Sequence, residues 1–434
     1  MKTPVPCRAL DRAAGRAYAA ASFTVAMPPM TAIPPDTAAI ALGTPAFRRV
    51  RTALFLGGFA TFALLYCVQP LMPLLSQTYR LSPAAASLAL SAATGALSLT
   101  LIAASVLSDR YGRRPVMVSA LTLAALLALL SAAAADFAHL VLLRALEGVA
   151  LAGLPAVAMA YLSEEIEPEG LGYAMGLYIS GSALGGMSGR VFAAWVGEAF
   201  SWRVALAAVG AIGLALAFAF WRSLPLSRRF RPRSLHPRVL AEGMRGHLAD
   251  AGLPWLFATA FLLMGCFVSL YNYLGYRLGA PPFNLGPGAT GMIFMLYLVG
   301  SAASTWAGRL ADRLGRRRVL WWITTLMLVG LLLTLSSQLA AVVLGVALFT
   351  FGFFGSHAVA SGWVGRRARQ ARGLASALYL FAYYAGSSVL GTASGLVWSV
   401  GGWGAVVGVL ALGLLACLAI ALRLRRLEPL PPAP

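Results

Sequence analysis

The sequence predicts an all-α integral membrane protein, with twelve transmembrane helices in two pseudo-symmetric six-helix bundles. Three observations lead there. The first is composition: of 434 residues, 59% are hydrophobic and only 11% charged, with a mean hydropathy of +0.78. Soluble domains carry about 25% charged residues, so this chain cannot cover a globule of its size with polar side chains and must turn apolar surface toward lipid. The second is the length of the apolar runs. A bilayer core of ~30 Å takes about 20 apolar residues in helix, because every backbone polar group must be satisfied within the segment. The third is where the 34 Lys and Arg fall. With the N-terminus inside, the outer loops hold only Arg80, Arg203 and Arg277, and Arg144 and Arg190 lie within spans; the others all fall in inner segments. That asymmetry predicts a multi-pass protein with both termini in the cytoplasm.

The spans of the first bundle (51–221) are expected to start near Thr52, Ala85, Val116, His139, Leu171 and Trp202. Those of the second (254–422) start near Pro254, Ala289, Val319, Leu339, Gly373 and Gly401. Turn-forming runs separate them: LSP at Leu81–Pro83, EIEPEG at Glu165–Gly170 and PPFNLGPG at Pro281–Gly288. The basic stretch 222–253 is the one long inner connection, and 423–434 is a short cytoplasmic tail. Residues 1–50 lack the apolar core and cleavage site of a signal peptide. They are expected to be a disordered tail or an over-extended gene start, with the true start at Met27 or Met30.

Several function classes fall away. The formal charge of +20 is spread between apolar runs, so it reads as topology and contact with anionic lipid, not as a nucleic-acid footprint. Lys2 is the only lysine, so there is no GxxxxGK[ST] phosphate loop for ATP. Cys7, Cys67, Cys266 and Cys417 have neither metal-type spacing nor a disulfide framework. No catalytic constellation is visible, and neither enzyme activity, cofactor nor metal is expected.

The halves repeat. SVLSDRYGRR (Ser105–Arg114) recurs as GRLADRLGRR (Gly308–Arg317), so Asp109 matches Asp312. GLPAVA (Gly153–Ala158) recurs as GSHAVA (Gly355–Ala360), and GYAMGLYISGSALGG (Gly172–Gly186) recurs loosely as GLASALYLFAYYAGS (Gly373–Ser387). Parallel repeats about an axis along the membrane normal are a transporter architecture, with the substrate site at the repeat interface. On these residues the chain resembles the major facilitator superfamily over about residues 50–425. The resemblance implies the fold of that family and a carrier working by alternating access. Its signature loop G-x-L-[AS]-D-R-x-G-R-R is complete in the second copy, and the first has Ser105 in place of Gly. In the fourth span, Arg144 is followed by Glu147 where the family has Gln. In the Gly-rich fifth span, Ser182 stands where Gly-Pro is usual. The run YCVQPLMPLLS and these motifs most resemble the bacterial acriflavine-sensitivity branch of drug:proton antiporters, which implies a bacterial inner membrane.

Residue roles follow from chemistry and from that resemblance. Asp109, Arg110, Gly112, Arg113 and Arg114, with Asp312, Arg313, Gly315, Arg316 and Arg317, form two gating loops. Each glycine permits a tight turn. Arg113 and Arg114 are expected to pair with the acidic run Glu164, Glu165, Glu167 and Glu169, as a cytoplasmic latch in the outward-open state. Gly181, Gly185 and Gly189 form a small-residue stripe for close helix packing. A charge at the bilayer centre costs roughly 2.5–3.5 kcal/mol on insertion scales and usually marks function. Arg144, Glu147 and Arg190 are the intramembrane charges, Glu147 is the candidate proton carrier, and His357 is a second titratable group in the spans. Tyr66, Gln69, Tyr271, Asn272, Tyr273, Tyr379, Tyr383 and Tyr384 are expected to line the cavity, where tyrosine suits a semi-polar solute. The expected partners are a small organic solute, protons and the bilayer, with the chain acting as a monomer. Two arginines against one glutamate favour a neutral or anionic solute over a cation. Uptake by proton–solute symport shares these features and differs in direction; a channel or receptor has no need of paired gating loops.

Overall fold

The computed structural model describes residues 38–230 and 237–427. The first-half helices are α1 (Pro45–Tyr79), α2 (Pro83–Tyr111), α3 (Arg113–Ala132), α4 (Phe137–Glu165), α5 (Pro168–Ala199) and α6 (Trp202–Ser223). A short helix α7 (Pro237–Ala249) precedes α8 (Leu253–Gly279), α9 (Pro287–Leu314), α10 (Arg316–Leu333), α11 (Leu339–Arg367), α12 (Arg372–Leu396) and α13 (Trp398–Arg425). Their starts are dictated locally. Thr44, Ser82, Asp136 and Ser201 each accept a hydrogen bond from the backbone N–H three residues on, and proline follows the first two. Side-chain caps satisfy N–H groups that the first helical turn leaves free.

Among the described residues, ten helices are long and apolar enough to cross a membrane. The other two positions where the sequence predicts spans are occupied by α5 and α10. The 18 residues of α10 open on Arg316, Arg317 and Arg318, and glycine and serine dilute the apolar run of α5, so length and apolarity alone do not mark these two. Helix α1 begins at Pro45, inside the stretch expected to be tail. Phe47 and Val50 are buried, and the backbone of Ile40 pairs with Glu165 and Glu167. Met27 and Met30 lie outside the described residues. Helix α7 is also new relative to the sequence reading: Leu240, Met244 and His247 share one face of it, and His247 Nε2 lies 3.3 Å from the Ala371 carbonyl. Asp250 ends this connection. Its Oδ1 accepts from the backbone N–H of Gly252 and Leu253 and pairs with Arg367 of α11. Burial raises the Asp250 carboxyl, but those three donors outweigh it and hold it below the usual value.

Packing repeats between the halves. In the first, α1 lies against α5, α2 against α4, and α3 against α6; in the second, α8 lies against α12, α9 against α11, and α10 against α13. The glycine stripe makes the α1–α5 contact possible. A Cβ on Gly181 or Gly185 would strike the carbonyl oxygens of Phe55 or Phe59, and one on Gly189 would come within 2.7 Å of Ala63 Cα. Gly386 of α12 meets the Phe261 carbonyl of α8 in the same way. In the repeated loops, Gly112 (φ +98°) and Gly315 (φ +85°) both adopt the left-handed region that favours glycine.

The halves join mainly on the face opposite the chain ends. Gln69 Nε2 donates to Asn272 Oδ1 (2.6 Å), Ser76 and Tyr276 hydroxyls meet at 2.7 Å, and Ser87 donates to Thr392 (3.2 Å). Glu198 of α5 accepts from the backbone N–H of Gly288 at the start of α9 (2.8 Å). Among the described residues, no hydrogen bond or ion pair joins loop 105–114 to loop 308–317.

Candidate functional site

The site is built around a break in α1. Proline has no N–H to donate, and Pro70 and Pro73 interrupt the helix after Tyr66, where it passes through a 3-10 turn at Gln69–Leu71. The last carbonyls of the broken segment then need donors. Arg144 of α4 supplies them: Nη1 donates to Leu64 O (3.2 Å), Nη2 to Leu65 O (2.5 Å), and Nε to Ala89 O of α2 (3.1 Å). Its Nη1 also pairs with Glu147 Oε2 at 2.6 Å, and both side chains are 0% exposed. The other oxygen of Glu147, Oε1, is buried without a hydrogen-bond partner.

Arg190, the third intramembrane charge, does not join this pair. Its Nε donates to Gln69 Oε1 (2.6 Å) and its Nη1 to the Gly186 carbonyl (2.7 Å). The guanidinium carbon lies 4.1 Å from the ring centre of Tyr66, 5.0 Å from Tyr297 and 5.2 Å from Phe294. Gln69 thereby ties Arg190 to Asn272 of the other half, because α1 and α8 turn their corresponding faces to each other there.

His357 of α11 lies 3.0 Å (Nδ1) from the Tyr379 hydroxyl and packs among the rings of Phe353, Tyr379 and Tyr383. The hydroxyl of Tyr383 shares its surroundings with those of Tyr66, Tyr297, Tyr379 and Tyr384. This brings residues from α1, α9 and α12 to one place between the halves.

Most of the residues expected to line the cavity are buried between helices, and Gln69 and Tyr271 border a small space between α1, α8 and α9. Gln69 and Asn272 bond each other across the halves and are buried. Tyr271 donates to or accepts from Thr350 and stacks on Phe294, and Tyr273 donates to the Gly391 carbonyl of α12. Tyr66, Tyr379 and Tyr384 are buried, leaving Tyr383 as the half-buried member. Tyrosine serves interhelical hydrogen bonding in lipid as readily as solute contact, and the sequence pattern does not separate the two. Tyr178, Tyr297, Phe294 and Ser387 were missed. Their signal was position: each lies on a helix that faces the opposite half.

In the first gating loop, Arg113 bridges Asp109 (2.6 Å) and Glu164 (2.7 Å). Arg114 departs from expectation and donates to the Leu224 and Trp221 carbonyls at the end of α6. It is one position further around the helix and points away from the acidic run. Arg110 lies over the Tyr111 ring. In the second loop, Asp312 accepts from Arg316 and Arg366, and Arg317 donates to the Arg425 carbonyl; Arg313 is exposed beside them. Among the described residues, no group of three or more His, Cys, Asp or Glu could hold a metal ion.

Comparison with known proteins agrees with this architecture. The family model for the Major Facilitator Superfamily matches residues 54–280 and 278–434. The chain is 49% identical over 384 residues to the inner membrane transport protein YnfM of Escherichia coli (strain K12), covering 88% of this chain and 92% of that protein. It is 46% identical over 389 residues to the uncharacterized MFS-type transporter YybF of Bacillus subtilis (strain 168), covering 90% and 96%. Among solved structures, it superimposes on a bacterial homolog of the human lysosomal transporter Spinster with a TM-score of 0.69 at 16% identity, covering 88% and 95%. A membrane-spanning transporter in which two like bundles meet around buried charges is what these observations describe, and the chain belongs to the major facilitator superfamily.

Proposed function

We propose that this transporter moves a small organic solute by alternating access, exporting it in exchange for protons. On this reading the chain crosses the bacterial inner membrane twelve times as a monomer, with both termini in the cytoplasm. The joined face is then the outer one, and the conformation is open toward the cytoplasm. The glycine contacts of α1 with α5 and of α8 with α12 keep each bundle rigid while the two rock.

The observation that carries the reading is the Arg144–Glu147 pair. One carboxylate oxygen is held by the guanidinium, and the other is buried with no partner. A proton can load on that free oxygen and leave again while Arg144 keeps its three backbone carbonyls. Protonation removes a buried charge next to the break in α1, and so changes the electrostatic balance between Arg144 and Arg190 on either side of it.

The test uses inverted membrane vesicles with a fluorescent readout of the proton gradient, wild type beside Glu147→Gln, against neutral, anionic and cationic solutes. The expected result is a solute that dissipates the gradient with wild type only. A variant that responds as well as wild type removes Glu147 from coupling. Solute movement with no proton movement removes coupling altogether.

A further inference from the structure

We infer that the solute is a planar organic carboxylate and that Arg190 is its seat. This rests on the transporter reading above and names the solute class it leaves open. Arg190 is 2% exposed, yet among the described residues no carboxylate lies within ion-pair distance of it. Glu147, the acid buried in the neighbouring spans, is committed to Arg144. Among the described residues its hydrogen bonds go to Gln69 Oε1 and the carbonyl of Gly186, and both are neutral. Three aromatic rings surround the cation and recover part of what its burial costs. A charge held this way in a membrane interior is short of a counter-ion.

A second observation points to the same place. The hydroxyls of Tyr66, whose ring lies under Arg190, and of Ser387 in the opposite half are both buried, adjoin each other and make no well-formed hydrogen bond. A guanidinium offers a fork of N–H groups that matches a carboxylate in its plane. The rings of Tyr66, Tyr297 and Phe294 provide faces for a planar scaffold, and the Tyr66 and Ser387 hydroxyls can turn from each other to donate to its oxygens. A cationic solute meets the repulsion of the Arg190 charge, which already occupies the faces of the three rings.

The arrangement also couples binding to the joint between the halves. Gln69 is anchored by Arg190 on one side and holds Asn272 on the other. A carboxylate that takes the Nε–H of Arg190 releases the Gln69 carbonyl and loosens the link to Asn272. Ligand and gate thus compete for one donor, which gives the ligand the differential affinity that a change of state requires.

The test is thermal unfolding of the purified full-length protein in detergent, with millimolar benzoate and cinnamate, their neutral amides, and benzylamine. Wild type is expected to melt higher with the carboxylates and unchanged with the amides and the amine. Arg190→Gln abolishes the shift, a loss of affinity of more than about tenfold, while Arg190→Lys retains part of it. The shift is read against each variant's own melting temperature without ligand, so a lower baseline from the lost Gln69 bond in Arg190→Gln does not mimic loss of binding. Equal shifts from the amides, a shift that survives in Arg190→Gln, or no shift with either carboxylate overturns the inference. No proton gradient is involved, so this assay and the vesicle assay fail independently.

Discussion

Replacing Arg144 and Glu147 singly and together distinguishes an ion pair from a helix brace. In a simple buried pair, removing one partner strands the other, at about 3–5 kcal/mol, and neutralising both restores most of the loss. The geometry here predicts another outcome. Arg144 is the nitrogen donor to the Leu64 and Leu65 carbonyls, which the break in α1 leaves without backbone partners. Arg144→Met orphans the Leu65 carbonyl and leaves that of Leu64 with only the weak Cys67 thiol donor, at about 1–3 kcal/mol for the first and less for the second, before the stranded carboxylate is counted. Glu147→Gln keeps an acceptor for Nη1 and leaves all three carbonyl bonds in place, so its effect on stability is smaller. The double variant is therefore expected to melt close to Arg144→Met and well below Glu147→Gln. The assay is fluorescence-detected gel filtration of detergent-solubilised protein after a temperature series. A double variant as stable as Glu147→Gln would refute the reasoning, because the carbonyls would then not need the arginine.

Three further outcomes follow from the geometry. Gly185→Ala drives a methyl into the Phe59 carbonyl and should cost about 1–3 kcal/mol of stability. Gly172→Ala, with nothing within 4 Å, should be neutral, and equal melting of the two would contradict the packing. Cysteines at Ser87 and Thr392, whose hydroxyls are 3.2 Å apart across the halves, should crosslink and arrest transport until reduced; transport by the crosslinked protein would exclude separation of the halves at this face. Asp250→Asn should loosen α7 from the second half and speed its cleavage in limited proteolysis. Since the Asp250 carboxyl is held below its ordinary value by Arg367 and two backbone N–H groups, its stabilising contribution is full above the unfolded value. That contribution is lost as pH falls through the lower folded value, so wild type and variant should converge only in strong acid.

Much of the architecture was legible because lipid imposes strict rules on sequence. Helix starts at Trp202 and Leu339 coincide with the expected ones, and most others begin a few residues early. The apolar run marks the bilayer crossing, while capped polar turns extend the helix beyond it. Helix α7 escaped because three residues on one face of a short, mostly polar segment make a weak periodic signal. The glycine stripe and the positive-φ glycines of the gating loops could be read directly, since each follows from the absence of a Cβ. The acidic partner of Arg113 was legible as a loop, but Arg114 was misassigned because adjacent helical residues point about 100° apart.

The sequence by itself determined that the chain lives in a membrane, that its halves are copies, and that Arg144, Glu147 and Arg190 are the charges worth explaining. Hydropathy, charge asymmetry and repetition are properties of a linear string, so they survive without coordinates. Tertiary structure decided how those charges divide: Arg144 with Glu147 and the broken end of α1, Arg190 with Gln69 and three rings. It also showed that Tyr271, Tyr273 and Tyr379, three of the six tyrosines expected to face a cavity, bond to neighbouring helices. Partner choice depends on which faces of separate helices meet, and that is fixed by packing between segments far apart in the chain, which no local spacing encodes.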